Sequence, residues 1–251
     1  MMSLEGKVSI ITGGSRGIGA ATALLLAKAG AQVVVNYVKN HEQALAVVRS
    51  IQDKGGKAVT HQADVSKASE AAGLVERAII EFGKVDIVVN NAGIWTFAEI
   101  GSTPESIWDE TIDVNLKGVF NICNAVVPYF KKQGGGKIIN ITSTAGLRGE
   151  AFHSHYAASK GGVQAFTKSL ATELAPHNIL VNNVAPGWVD TELNEEVFAD
   201  EQFVRQVIDA IPLKRIATAE DVAGSILFLA SDFARHITGT TININGGSVL
   251  V

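Results

Sequence analysis

The sequence predicts an α/β fold: one doubly wound domain, with a seven-stranded parallel sheet and helices on both faces. Three observations predict it. Short β-branched runs alternate with longer helical stretches along almost the whole chain, most runs are apolar at nearly every position, and the links have the dozen or more residues that a right-handed parallel crossover needs. The runs at Val8–Thr12, Ala31–Asn36, Lys57–Gln62, Val85–Asn90, Lys137–Thr142, Leu180–Ala185 and Thr241–Asn245 read as strands, the second carrying Val33-Val34-Val35. Between them, Ile18–Ala29, Glu42–Lys54, Ala68–Phe82, Pro104–Lys131, Tyr156–Ala175 and Glu220–Ser231 carry apolar residues at helical spacing. No linker, charge block, low-complexity tract or repeat divides the chain, so residues 1–251 read as one domain. One stretch breaks the rhythm. The connection over 188–214 is long enough to be a lid over a site, or else an ordinary surface excursion of two short helices.

With 47% hydrophobic residues among 251, the chain has ample material for a core, which excludes intrinsic disorder. The balance of 21 Lys+Arg against 25 Asp+Glu, a net charge of −4, gives no basic surplus for nucleic acid and no basic amphipathic segment for an anionic membrane. Apolar runs such as Ile226–Ala230 fall well short of the ~20 residues that span a bilayer. Met1–Lys7 carries an acid and a glycine where a signal peptide needs a long apolar stretch. The single cysteine, Cys123, excludes an internal disulfide framework and a Cys-based zinc cluster, and fits a reducing compartment. A soluble cytoplasmic protein is expected, with no nucleic-acid or membrane partner.

The first strand leads into Thr12-Gly13-Gly14-Ser15-Arg16-Gly17-Ile18-Gly19 and then a helix. Glycines let a pyrophosphate approach the backbone, and the helix N-terminus turns its N–H groups and positive dipole toward the anion. A glycine-rich turn is weak evidence alone; its place between strand and helix supplies the context. The second strand ends Val35-Asn36-Tyr37, without the acid that an NAD site uses for the ribose hydroxyls. Arg16 could pair with a 2′-phosphate and Ser15 could add a hydroxyl, which favours NADP(H) over NAD(H); Arg16 could equally be a solvated loop cation. Asp64 could accept from an adenine amino group while Val65 packs on the ring, or Asp64 could cap the following helix. In Asn90-Asn91-Ala92-Gly93 the small residues leave room for a cofactor and an Asn side chain could brace the backbone.

Tyr156 and Lys160 stand four apart on a helix, so both project from one face. A phenol is a poor proton shuttle near neutrality, and lowering its pKa from ~10 to ~7 takes about 4 kcal/mol, which the ammonium and a charged nicotinamide could supply together. Ser143 ends a strand, where its hydroxyl can bond a substrate carbonyl, and the Asn115 amide in an apolar helix needs a partner. Together Thr12–Gly19, Asn90–Gly93, Asn115, Ser143, Tyr156-Ala157-Ala158-Ser159-Lys160 and Pro186-Gly187 resemble the short-chain dehydrogenases/reductases over essentially the whole chain. The resemblance implies a Rossmann-type domain in which Tyr156 is the general acid/base, Lys160 holds the nicotinamide ribose and lowers the tyrosine pKa, Ser143 orients the carbonyl and Asn115 holds a relay water. It also makes Pro186, Gly187, Val189 and Thr191 cofactor contacts, Thr191 to the carboxamide.

Ile211–Arg215, Glu220–Ala223, Phe228–Asp232, Ile237–Gly239 and Asn245–Gly247 look like bacterial 3-oxoacyl-[acyl-carrier-protein] reductases, a pattern that sugar and polyol dehydrogenases largely share. Gly134 and His177 stand where many carrier-protein reductases have a base, leaving Lys131 and Lys132 as candidate docking cations. Trp95, Phe152 and Trp188 are the candidate substrate-pocket residues, Trp95 being equally readable as a packed surface aromatic. His153 and His155 lack the third ligand of a zinc site and read as loop polarity or pocket lining. Apolar surplus on the helices over 104–131 and 156–175 fits subunit contacts, and the resemblance implies a tetramer with 222 symmetry. The expected function is NADPH-dependent reduction of a small carbonyl substrate, of the 3-oxoacyl-thioester type. The alternatives are a sugar or polyol dehydrogenase and a non-catalytic nicotinamide-sensing protein.

Overall fold

The computed structural model describes residues 2–250. In chain order its elements are β1 (Val8–Ile11), α1 (Gly17–Lys28), β2 (Gln32–Tyr37), α2 (His41–Gln52), β3 (Ala58–Gln62) and α3 (Ala68–Phe82). Then come β4 (Ile87–Asn90), α4 (Glu105–Ile112), α5 (Gly118–Gln133), β5 (Gly136–Ile141), α6 (Ala145–Arg148) and α7 (Ser154–Leu174). The last part holds β6 (Ile179–Pro186), β7 (Val189–Asp190), α8 (Glu195–Phe198), α9 (Glu201–Ala210), β8 (Ala217–Thr218), α10 (Ala219–Ala230) and β9 (Thr241–Ile244).

Seven parallel strands form one sheet in the order β3-β2-β1-β4-β5-β6-β9. Successive strand side chains point to opposite faces, so an apolar run feeds two cores. Val33 and Val35 pack with Leu26 of α1 and Ile226 of α10, whereas Val34 packs with Leu74 of α3 and Ile122 of α5. Strand order reverses at β1, which lies between β2 and β4, and the crevice outside the strand C-termini opens there.

One expectation changes, and one open stretch is resolved into elements. The stretch 104–131 is two helices, joined by a π-helical turn over Asp113–Lys117. Such a turn widens the helix without ending it, so the apolar period passes through and hides it. The excursion over 188–214 contains α8 and α9, and its first strand, β7, pairs with β8 as a separate two-stranded sheet.

The helix carrying Tyr156 and Lys160 is fixed to the sheet by a buried polar bridge. Asn90, Asn140, Asn183 and Thr241 are successive cross-strand neighbours near the C-terminal edge. Asn90 Nδ2 donates to Asn140 Oδ1 at 2.8 Å, and Asn140 Nδ2 donates to Thr167 Oγ1 of α7 at 2.8 Å. The Thr167 hydroxyl then donates to Asn183 Oδ1 at 2.7 Å, and Asn183 Nδ2 donates to Thr241 Oγ1 at 3.1 Å. Thr167, Asn140 and Asn183 are all fully buried. Thr167→Val would strand the Asn140 amide and the Asn183 carbonyl in a buried core. It is expected to cost about 2 kcal/mol in denaturant unfolding, with Thr167→Ser costing less.

Candidate active site

A cleft of about 520 Å³ lies beyond the C-terminal ends of the strands. Its floor at one end is the turn after β1. Gly13 and Gly17 have φ of 59° and 51°, in the left-handed region that favours glycine. A Cβ on Gly19 would collide with the Gly13 carbonyl oxygen, so glycine there lets α1 seat directly on the turn. No side chain caps α1, whose first N–H groups face the cleft lined by Gly13, Ser15, Arg16, Gly17 and Ile18. The backbone donors and glycine cradle fit a pyrophosphate.

Three side chains hold that turn. Thr12 Oγ1 accepts from the Asn91 and Ala92 N–H groups at 2.9 and 3.0 Å, and Asn91 Nδ2 donates to the Thr12 and Gly13 carbonyls, each at 3.0 Å. The third is Asn36. Its Oδ1 accepts from Gly13 N–H at 3.1 Å, and its Nδ2 donates to the Ala63 carbonyl at 2.9 Å. Asn36, a candidate cofactor contact by its place at the end of the second strand, is 1% exposed and does not line the cleft; it braces the glycine turn instead. The residues that do face the cleft after β2 are Tyr37, Val38, Lys39 and Asn40, which sequence reasoning missed. The signal lay in Lys39, a cation three positions beyond Asn36.

Asp64, Val65, Asn91, Ala92 and Gly93 line the cleft as expected. Asp64 Oδ1 accepts from Ser66 N–H at 3.0 Å and from Ser66 Oγ at 2.7 Å. Partial burial pushes the Asp64 carboxyl up, but the Ser66 hydrogen bonds and the nearby Lys67 ammonium outweigh it and hold the acid below its ordinary range.

At the other end Ser143, Tyr156 and Lys160 line the same cleft. Lys160 Nζ sits 5.7 Å from the Tyr156 ring centroid and donates to the Ile141 carbonyl at the end of β5, at 2.8 Å. Ser143 Oγ accepts from Ala145 N–H at 3.1 Å. Loss of water around the Tyr156 hydroxyl pushes the phenol up to about 12; the Ser143 hydroxyl pulls it partly back and the Glu150 charge pushes it further. Burial lowers the Lys160 ammonium to about 8. In the protein alone the phenol is therefore raised and the ammonium lowered, because desolvation opposes charge on both groups.

Asn115 lies in the π turn, fully buried. Its Oδ1 accepts from Ile94 N–H at 2.8 Å, while its Nδ2 donates to the Ile94 carbonyl at 2.9 Å and to Ser159 Oγ at 3.2 Å. With both polar atoms engaged, this side chain positions the Ile94 backbone, and the partner its amide needs is a backbone carbonyl. A Cβ on Gly93 would sit 3.2 Å from Asn115 Oδ1 and 3.4 Å from Lys160 Nζ, so the loop passes tightly over the site.

Pro186, Gly187, Val189 and Thr191 line the cleft beyond β6, and so do Trp95 and Trp188. The two Trp rings meet edge to face at 6.0 Å, and His153 stacks on Trp95 at 4.3 Å. Phe152 does not belong to this wall. It is exposed, has a left-handed φ of 62°, and stacks on Phe97 at 5.3 Å outside the cleft. The turn that aims His153 inward rotates its neighbour outward. His155 is buried and bonds Thr96 Oγ1 through Nε2 at 3.0 Å; burial, then the neighbouring His153, lowers its pKa. Glu150 and Arg148, unforeseen from sequence, also line this end. Lys131 and Lys132 lie in the last turn of α5, which leads into the start of β5, so they sit at the opposite edge of the sheet. Cys123 is buried beside Asn90, and burial pushes its thiol up to about 12. Among the described residues no helix is long and apolar enough to cross a membrane, and no three His, Cys, Asp or Glu are placed to hold a metal ion.

The family model described as enoyl-(acyl carrier protein) reductase matches residues 13–248. A 3-oxoacyl-[acyl-carrier-protein] reductase of Synechocystis sp. is 43% identical over 251 residues, 100% of each chain. Its counterpart in Thermotoga maritima is 42% identical over 249 residues, covering 99% of this chain and all of the relative. The chain belongs to the short-chain dehydrogenase/reductase family. A solved structure from Sinorhizobium meliloti 1021, described as a short-chain alcohol dehydrogenase, superposes with a TM-score of 0.94 at 35% identity, covering 98% of this chain and 97% of that one. As a short-chain dehydrogenase/reductase it is an NAD(P)-dependent oxidoreductase on a single doubly wound α/β domain.

Because Asn36 braces the turn and does not touch a ribose, Asn36→Ala is expected to weaken NADPH and NADH by the same factor in fluorescence titration. A loss confined to one cofactor would restore the direct contact.

Proposed function

We propose that this protein is an NADPH-dependent carbonyl reductase that interconverts a ketone and a secondary alcohol, of the 3-oxoacyl-thioester reductase type. The observation that carries the chemistry is the meeting of Ser143, Tyr156 and Lys160 at one end of a cleft whose other end is a glycine cradle. A bound nicotinamide supplies or accepts the hydride at the carbonyl carbon. Ser143 donates a hydrogen bond to the carbonyl oxygen and orients it, and Tyr156 gives that oxygen its proton or takes it back. Lys160, with a pKa of about 8, remains largely cationic at neutral pH and stabilises the phenolate form across the shared pocket. Asn115 holds the loop over the site.

Cofactor preference rests on charge. Arg16 and Lys39 line the cleft, while the second strand ends without an acid, an arrangement that suits a 2′-phosphate. NAD(H) is the alternative. We assign the adenine contacts to Asp64 and Val65, and the nicotinamide contacts to Pro186, Gly187, Val189 and Thr191. The 188–214 segment serves as a lid, since Trp188 packs on Phe198 of α8 and Phe203 of α9, so movement of those helices moves the cleft wall. A cytoplasmic homotetramer is the proposed form; the exposed Trp108 and Phe120 on α4 and α5 offer apolar contact surface, and the free Cys123 suits a reducing compartment.

The names of the relatives support the thioester substrate. A second reading, a sugar or polyol dehydrogenase, is favoured by the Glu150 carboxylate and the Trp95–Trp188 wall at the reacting end. A steady-state screen of acetoacetyl thioesters against sugars and polyols with both cofactors separates them. Tyr156→Phe is expected to lower turnover by about 10²–10⁴-fold while leaving NADPH binding largely intact; full activity would refute the proton-transfer role. Lys39→Ala and Arg16→Ala are each expected to weaken NADPH about tenfold or more with little effect on NADH, and tighter NADH binding in the parent would overturn the preference.

A further inference from the structure

Glu150 is a carboxylate that the proton-transfer chemistry does not use. It lines the cleft with Ser143 and Tyr156, and its side chain is 19% exposed. Among the described residues nothing donates a hydrogen bond to it, and its one ion-pair neighbour is His153 Nδ1 at 4.0 Å. That nitrogen lies 2.9 Å from the Ala151 carbonyl, which can only accept, so its proton is already committed. The carboxylate faces the cleft without a donor from the protein, so a ligand in the cleft can supply one. Its charge reaches the reacting group, since it raises the Tyr156 pKa. The Trp95 and Trp188 rings line the same cleft, Trp95 stacked on His153, and offer apolar surfaces that favour the C–H edges of a compact ring or chain.

We infer that Glu150 is a specificity-determining residue, accepting a hydrogen bond from a hydroxyl or ammonium borne next to the reacting carbon, so that the enzyme prefers neutral or cationic vicinal diols, amino alcohols and their ketones over anionic or purely apolar ones. The inference rests on the ketone–alcohol chemistry proposed above and, within it, develops the second reading, the polyol, from the observation that favours it. A carboxylate or phosphate in the same place would meet repulsion, whereas a hydroxyl completes the coordination that the protein leaves open. Oxidation of such a diol would balance as follows: the carbinol C–H would leave as hydride to a bound NADP⁺, and the O–H proton would pass to the Tyr156 phenolate, giving the neutral phenol, NADPH and a hydroxyketone.

The test uses matched alcohols with NADP⁺: trans-1,2-cyclohexanediol, trans-2-aminocyclohexanol, cyclohexanol and trans-2-hydroxycyclohexanecarboxylate. The parent is expected to favour the diol and amino alcohol over cyclohexanol by about 10- to 100-fold in kcat/KM, carried mainly by KM, and to disfavour the carboxylate. Glu150→Gln should bring these ratios close to unity, and Glu150→Asp, which keeps the charge, should retain an intermediate preference. A separate readout is the pH profile. Tyr156 accepts the proton in oxidation, so the acidic limb should move to lower pH in Glu150→Gln, where the charge that raises the phenol is gone. Equal use of diol and cyclohexanol by the parent, or an unchanged ratio in Glu150→Gln, overturns the inference while leaving the carbonyl chemistry standing. Absence of turnover for every alcohol, with acetoacetyl thioesters still reduced, also overturns it. Failure on alcohols and thioesters alike, with either cofactor, overturns the proposed function and this inference with it.

Discussion

The reactive end of the molecule depends on the register of one helix, and a single hydroxyl fixes that register. Thr167 accepts from Asn140 and donates to Asn183, joining α7 to two neighbouring strands in a fully buried core. Lys160 lies seven residues before Thr167, two turns along the same buried face, and Tyr156 one turn before that. The bridge therefore sets the height at which the ammonium meets the end of β5, where Nζ reaches the Ile141 carbonyl. Apolar packing alone would tolerate a small slide of α7; paired amides and a hydroxyl do not, because each mismatch strands a buried polar group.

That placement has an electrostatic consequence. The groups that drive proton transfer occupy the same buried pocket, and burial moves their pKa values apart, the phenol up to about 12 and the ammonium down to about 8, so both groups favour their neutral forms. Desolvation is the largest cause for both, ahead of any charge between them. The ionised pair is thus held in reserve. A further positive charge near the phenol tips it toward phenolate, whereas the Glu150 carboxylate tips it away. Arg16 and Lys39 line the nucleotide end of the cleft, while the reacting end carries charges of both signs, Lys160 and Arg148 with Glu150.

Much of this was legible in the chain. Strand and helix alternation gave the sheet, since both-face burial writes itself as runs such as Val33-Val34-Val35. Motif order brought Ser143, Tyr156 and Lys160 to one cleft because all three sit at or beside the C-terminal edge. What the sequence hid were directions and partners. Asn36, near the end of β2, and Lys39, just beyond it, are three residues apart, yet the amide turns inward to the glycine loop while the ammonium lines the cleft. Phe152 and His153 are adjacent, yet a left-handed φ sends one ring outward and the other onto Trp95. Glu150 gives no periodic or motif signal, and its position beside Tyr156 follows only from the fold of the turn after α6. The sign of the tyrosine shift was equally hidden, for spacing locates an ammonium but says nothing of how much water remains around it.

Control of the phenol by burial is therefore the claim on which the chemistry stands. The most direct measurement is the tyrosinate absorbance of the cofactor-free protein against pH, taken as the difference between the parent and Tyr156→Phe. A buried phenol with a pKa of about 12 gives no difference signal at pH 10. A Tyr156 tyrosinate signal already present at pH 8 would contradict it, and would mean that the neighbouring ammonium governs the site.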